Sequence, residues 1–154
     1  IETIIHPESL IHAVVGFQDG GMMAHVGPPD MRHAIGFALH HPKRRPLDVA
    51  RLDLKQIGQF RFYAADEGRY PALSLAREVM RQGHLWGAAF NAAKEVALDR
   101  FIAGDIGFLD MAVVVEKALH DMDRAGLLAT APRDLTDVLQ ADQATRERAR
   151  TLNV

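Results

Sequence analysis

His12 stands in the run Ile11-His12-Ala13-Val14-Val15-Gly16-Phe17, where an imidazole among apolar neighbours is costly unless it is hydrogen-bonded. It is therefore either a working residue or a satisfied structural histidine, and the residues alone leave both open. His6, directly before Pro7, poses the same choice. His40 and His41 are adjacent, so on a helix they diverge by roughly 100° and share a metal poorly. His25 and His33 can approach each other only through tertiary folding. No HExxH or other ligand-spaced cluster occurs, and the carboxylates that magnesium or manganese would prefer, Glu8, Asp19 and Asp30, are scattered over loops.

Other chemistry-bearing patterns are equally sparse. There is no GxGxxG followed by an acidic residue and no phosphate-binding loop of the Walker type. The basic run Lys43 to Arg45 can meet phosphate or simply form a solvated face. Met31 follows the stiff corner Gly27-Pro28-Pro29-Asp30, where a polarisable thioether can wall a flat ring or pack into a core. Asn91 and Glu95 share a helix face by their i,i+4 spacing and read as capping or interhelix hydrogen-bonding groups. Trp86 reads as a core anchor.

The elements that must position these residues change character along the chain. Residues 1 to 5 read as a strand ended by His6-Pro7. Residues 11–17 and 22–26 read as an antiparallel hairpin around Gln18-Asp19-Gly20-Gly21, because Asp-Gly favours the positive φ such turns need. Strict alternation puts Leu10, His12, Val14 and Gly16 on one side and Ile11, Ala13, Val15 and Phe17 on the other. Both faces are largely apolar, so both are expected to be covered, by helices or by a partner chain. Met31 to His40 has helical spacing, with Asp30 at its start and Pro42 to Pro46 at its end. One short strand is expected within residues 59–64, with Phe60 and Phe62 on one face.

From Pro71 the pattern is helical. Expected helices run from Pro71 to Gln82, from about Leu85 to Ala103 with Trp86, Phe90, Val96 or Ala97 and Phe101 inward, and from about Leu109 to Ala125 with Met111, Val114, Val115, Ala118, Leu119 and Met122 inward; Gly83, Gly104 and Gly126 terminate them. A short turn at Asp134 to Val138 and a last helix capped by Asp142 and running to Arg150 complete the set. The fold class is α+β: an antiparallel ribbon and helix, a linker, then a small four-helix bundle-like domain. The expected boundaries are 1–41, 42–70 and 71–154.

The chain has 154 residues, a formal net charge of −2 and no cysteine. That length holds one good core, and the charge balance offers no general attraction to nucleic acid or to an anionic membrane. The missing cysteines exclude disulfides and thiolate chemistry and fit a reducing, cytoplasmic setting. No apolar run approaches the roughly eighteen residues of a membrane span. The start at Ile1, inside a strand, reads as the continuation of a longer chain.

Taken in order, IHPESLIHAVVGFQDG, GPPDMR, ALHHPKR, NAAKEVALDRFIAGDIGF and DVLQADQATRERA resemble the 1-deoxy-D-xylulose 5-phosphate reductoisomerase family over essentially the whole chain. The resemblance implies the end of a catalytic and dimerisation domain followed by a carboxyl-terminal helical domain. It further implies a parent enzyme that uses NADPH and magnesium or manganese to convert that sugar phosphate into 2-C-methyl-D-erythritol 4-phosphate, towards isoprenoids. Carried over by position, Ser9 and His12 would bind substrate, Pro29 and Met31 would lie beside the nicotinamide, and no catalytic or metal-ligating residue is assigned within these residues. The implied partners are a second copy, meeting through the hairpin, and the sugar phosphate; neither nucleic acid nor membrane is expected. This chain alone would be inactive, the alternative being a noncatalytic dimerisation or interaction module derived from the same fold. Glu8, His33-Ala34 and Lys94 depart from the family pattern, and Glu8 would put an unfavourable charge near phosphate if it pointed inward.

Overall fold

The computed structural model describes residues 1–154. The chain divides into two compact units, Ile1–Ala65 and Asp66–Val154. In the first, β1 (Ile4–Ile5) pairs antiparallel with β4 (Tyr63–Ala64), and β2 (Ile11–Gly16) pairs antiparallel with β3 (Met22–Val26). The expected strand in residues 59–64 is confined to its last two positions. Helices α1 (Arg32–His40) and α2 (Leu54–Ile57) complete the unit, so residues 42–65 contribute both α2 and β4 to it.

The hairpin turn follows its residues. Phe17 and Gly21 close the loop by an N–H···O bond of 2.8 Å, the Asp19 carboxylate accepts from the Gly21 N–H, and Gly20 takes φ +86°. The pairing is Ile11 with Val26 and then Ala13 with His25, so His12 is an extra residue in the ladder. Strict alternation therefore fails at this histidine: a bulge bends the strand and re-aims the side chain. Only Gly27 and Gly36 are buried in this unit. Gly36 on α1 is there for proximity, since a Cβ would lie 2.8 Å from a Leu47 methyl of the segment that folds back over the helix.

The second unit consists of α3 (Pro71–Gln82), α4 (Trp86–Ile102), α5 (Asp110–Arg124) and α6 (Leu135–Thr151). Pro71 occupies the first turn of α3, and Gly83, Gly104 and Gly126 all take positive φ just past their helices. On α4 the buried stripe is mostly alanine, Ala89, Ala92, Ala93 and Ala97 with Val96, which lets α5 and α6 approach its backbone closely. From α5 come Val114, Val115, Ala118, Leu119 and Met122, the face expected from periodicity. Phe101, expected inward, is instead partly exposed and meets Phe108 edge to face at 5.7 Å.

The last helix differs from its sequence reading. Asp134 caps one continuous α6, accepting from the Thr136 and Asp137 N–H groups, so the expected break before Asp142 is absent. Asp142 lies inside the helix and pairs with Arg146 one turn on, at 2.6 Å. Arg146 also reaches Glu95 on α4 at 2.6 Å, which joins the Asn91–Glu95 pair to α6. The fully buried Thr145 returns its hydroxyl to the Ala141 carbonyl at 2.7 Å, so a polar group enters the core already satisfied.

Candidate functional site

The four residues singled out for binding fall on two adjoining segments of the first unit. Ser9 lies just before β2 in a turn closed by its own N–H to the His6 carbonyl at 3.0 Å, with φ +50°. A serine in that left-handed region is strained by about 1 kcal/mol and persists only where the surrounding turn imposes it. His12 follows in the bulge. Across from it, Gly27 N–H donates to the Leu10 carbonyl at 2.9 Å, and the Asp30 N–H donates to the Pro28 carbonyl at 2.8 Å. Pro29 and Met31 stand exposed on the corner, Met31 with 70% of its surface open.

His12 Nε2 donates to the Pro28 carbonyl at 3.3 Å, which ties the bulge to the proline corner. That bond places the proton on Nε2 in the neutral ring and leaves Nδ1 uncommitted. The His12 and His25 rings lie 5.5 Å apart and those of His25 and His33 6.3 Å apart, so tertiary folding does bring these imidazoles into a row. They do not form a metal centre, and no group of three His, Asp or Glu side chains anywhere in the chain is gathered tightly enough to hold one.

The charges nearby are paired. Glu8 accepts from Arg61 Nε at 2.6 Å and from the Arg61 N–H at 3.1 Å, and the side-chain bond from that guanidinium, with the backbone bond beside it, holds the carboxyl at about 2. The negative charge feared near phosphate is thus engaged across the β1–β4 edge. His6 donates through Nδ1 to the Arg61 carbonyl at 2.9 Å and is packed between Phe62, stacked at 4.8 Å, and Phe60, edge-on at 5.7 Å. That makes it a structural histidine, with Nε2 buried and unpartnered. Asp30 is similarly engaged by the Arg32 side chain and N–H, which lower it to about 2 and fix the start of α1. Arg61 and the Pro28 carbonyl were not singled out by sequence. The only trace of Arg61 was a basic residue between two phenylalanines, and a backbone oxygen leaves no trace at all.

An open, apolar ribbon beside a hydrogen-bonded corner, followed by an all-helical unit, is the α+β framework on which the four candidate residues stand. Residues 26–148 match the family model described as the DXP reductoisomerase C-terminal domain, and the chain belongs to that family. The 1-deoxy-D-xylulose 5-phosphate reductoisomerase of Ruegeria pomeroyi is 61% identical over 148 residues, which are 96% of this chain and 38% of that protein. The enzyme of the same name from Sinorhizobium medicae is 50% identical, over 97% of this chain and 37% of its own length. Among solved structures, the Zymomonas mobilis reductoisomerase in complex with NADPH superposes with a TM-score of 0.86 at 40% identity, covering 97% of this chain and 38% of that one. A reductoisomerase in complex with NADPH, fosmidomycin and magnesium gives 0.89 at 36% identity, covering 95% and 37%. The chain thus spans a little over a third of the length of the relatives it matches.

Proposed function

We propose that the intact protein is an NADPH-dependent reductoisomerase that rearranges 1-deoxy-D-xylulose 5-phosphate and reduces the product to 2-C-methyl-D-erythritol 4-phosphate. The observation that carries this reading is the 61% identity to such an enzyme across 96% of the chain. In this reading Ser9 and His12 contact the substrate phosphate, and Pro29 with Met31 forms the wall beside the nicotinamide. NADPH would supply the hydride. The residues of this chain do the positioning.

The geometry supports that division of labour. An exposed thioether on a proline-stiffened corner can cover one face of a flat ring. With His12 Nε2 committed to the Pro28 carbonyl, Nδ1 is the nitrogen left for a phosphate oxygen, and it donates only when the ring is protonated. The same bond joins the phosphate-contacting residue to the proline preceding the nicotinamide wall, so each site steadies the other. A divalent ion, magnesium or manganese, does not fit the residues present here, because they gather no ligand set. No step is assigned to it within this chain.

The two-sided apolar hairpin supports homodimerisation through that ribbon. Met22, Met23, Val15 and Phe17 are each at least half exposed, an apolar surface that a second copy would cover. The test is NADPH oxidation by the intact protein supplied with the xylulose phosphate and magnesium or manganese. Met31→Asp is expected to lower kcat/KM by about tenfold or more, since a carboxylate replaces the apolar wall. Unchanged steady-state constants in Met31→Asp remove Met31 from the site, and the absence of any turnover in the intact wild type refutes the reaction. The 154 residues alone are expected to show no turnover.

A further inference from the structure

Within the first unit, an open cavity of about 490 Å³ lies between the end of β3, helix α1 and residues 44–54. Three arginines, Arg44, Arg45 and Arg51, line it, and no aspartate or glutamate does. None of the three forms an ion pair, whereas Arg32 and Arg61 of the same unit are neutralised by Asp30 and Glu8. Asp53, the acid nearest in sequence to Arg51, is occupied in capping α2 through the Lys55 N–H at 3.0 Å. The positive field of the cavity is therefore uncompensated by the chain itself.

The rest of the wall is not polar. Val26, Pro28, Leu47, Val49 and Leu52 are on it, with Phe37, over whose ring the Arg44 guanidinium sits at 4.6 Å from the centroid. That stacking holds one cation against an apolar wall residue without neutralising it. His33 lines the same cavity, with an Nε2 that has no hydrogen-bond partner. A volume of this size is within the range of small-molecule sites. Guanidinium forks match phosphate oxygens, and an apolar wall gains from an apolar body.

We propose that this cavity is a binding site for a small organic phosphate with an apolar portion; it adjoins the candidate site at Pro28 but is lined by none of Ser9, His12, Pro29 and Met31. Its phosphate is held by Arg45 and Arg51, and its apolar portion lies against the Phe37 side. The site is independent of the catalytic reading, because its test reads binding and not turnover.

The test uses the intact protein, with phenyl phosphate and inorganic phosphate as probes in isothermal titration. Phenyl phosphate is expected to bind at least about tenfold more tightly than inorganic phosphate, because only it uses the apolar wall. Arg45→Ser with Arg51→Ser is expected to weaken phenyl phosphate by about tenfold or more, and the Arg45→Lys with Arg51→Lys pair to recover only part of that loss. Saturating NADPH or xylulose phosphate is expected to leave the affinity unchanged. Equal affinity in wild type and the serine pair overturns the proposal, as does competition by NADPH or xylulose phosphate, which would place the probe in the catalytic site. An acidic heptapeptide that displaces phenyl phosphate and binds more tightly also overturns it, in favour of a protein partner.

Discussion

The two units of this chain solve the burial problem in opposite ways. Unit Asp66–Val154 closes on itself: Leu119, Leu128 and Val114 are fully buried, and every helix but α3 contributes at least two buried residues to one cluster. In unit Ile1–Ala65 the only residues buried as a whole are two glycines, and the His6 side chain is covered between Phe60 and Phe62, although the unit's strands are as apolar as the helices. The difference lies in period. A helix with apolar residues on one stripe needs only neighbours carrying a similar stripe, while a two-stranded ribbon with two apolar faces has no second layer of its own. The helical unit thus carries a closed core of its own, and the ribbon unit leaves its apolar surface open.

The largest effect to test is autonomy. Residues 66–154 expressed alone are expected to unfold cooperatively on heating and to protect the amides of α4 and α5 from exchange. Residues 1–65 alone are expected to show neither. A cooperative melt of the ribbon unit would break the contrast outright.

Next come core and ribbon truncations in matched pairs. Leu119→Ala in 66–154 is expected to cost about 2–5 kcal/mol by urea midpoint, the range for removing a fully buried leucine. Met23→Ala, at a position 66% exposed, is expected to change the stability of the monomer by less than about 0.5 kcal/mol. Met23→Glu in the intact protein is expected to raise the dimer dissociation constant by about tenfold or more in sedimentation, since it places a charge on the apolar ribbon. A dimer unaffected by Met23→Glu places the interface elsewhere.

The same contrast explains what was legible in the sequence. Helix stripes and their stops were readable because each is a local signal: the α5 face and the glycines after α3, α4 and α5 fall where the residues put them. The hairpin was readable from Asp19-Gly20 for the same reason. The bulge at His12 was not, because it is set by the register of β2 against β3 and no single residue type announces it. The α6 boundary failed for a different cause. Asp134 and Asp142 are both capping residue types, and Asp142 lies inside the helix, where Arg146 one turn on is the shared partner of its charge and that of Glu95 on α4. At the candidate site, the histidine and the proline corner could be named from sequence, but the hydrogen bond between them and the Glu8–Arg61 pair are contacts between residues 16 and 53 positions apart.

Helix capping gives a smaller effect. Asp134→Ala is expected to destabilise 66–154 by about 1 kcal/mol, since two N–H groups at the start of α6 lose their acceptor. The urea midpoint measures it, and an unchanged midpoint would mean that the first turn of α6 frays without consequence for the core.

The smallest effect separates the units by acid. Asp137 accepts from the Arg133 side chain through both oxygens and from the Arg133 N–H, and the guanidinium lowers its carboxyl from 3.8 to about 2. A carboxyl depressed in the folded state contributes stability that is fully present above its unfolded value and is lost as pH falls through the folded one. The stability of 66–154 is therefore expected to decline from about pH 4 towards pH 2, and Asp137→Asn to flatten part of that slope while leaving the salt-insensitive core untouched. Glu8 and Asp30 of the ribbon unit are held equally low, at about 2, by Arg61 and Arg32. Their protonation should nonetheless produce no cooperative transition in residues 1–65, because the only packing coupled to the Glu8–Arg61 pair is the small His6, Phe60 and Phe62 cluster and not an extended core. If acid unfolds the ribbon unit as sharply as the helical one, its ion pairs rather than an external partner hold it together, and the distinction between the two units fails at its root.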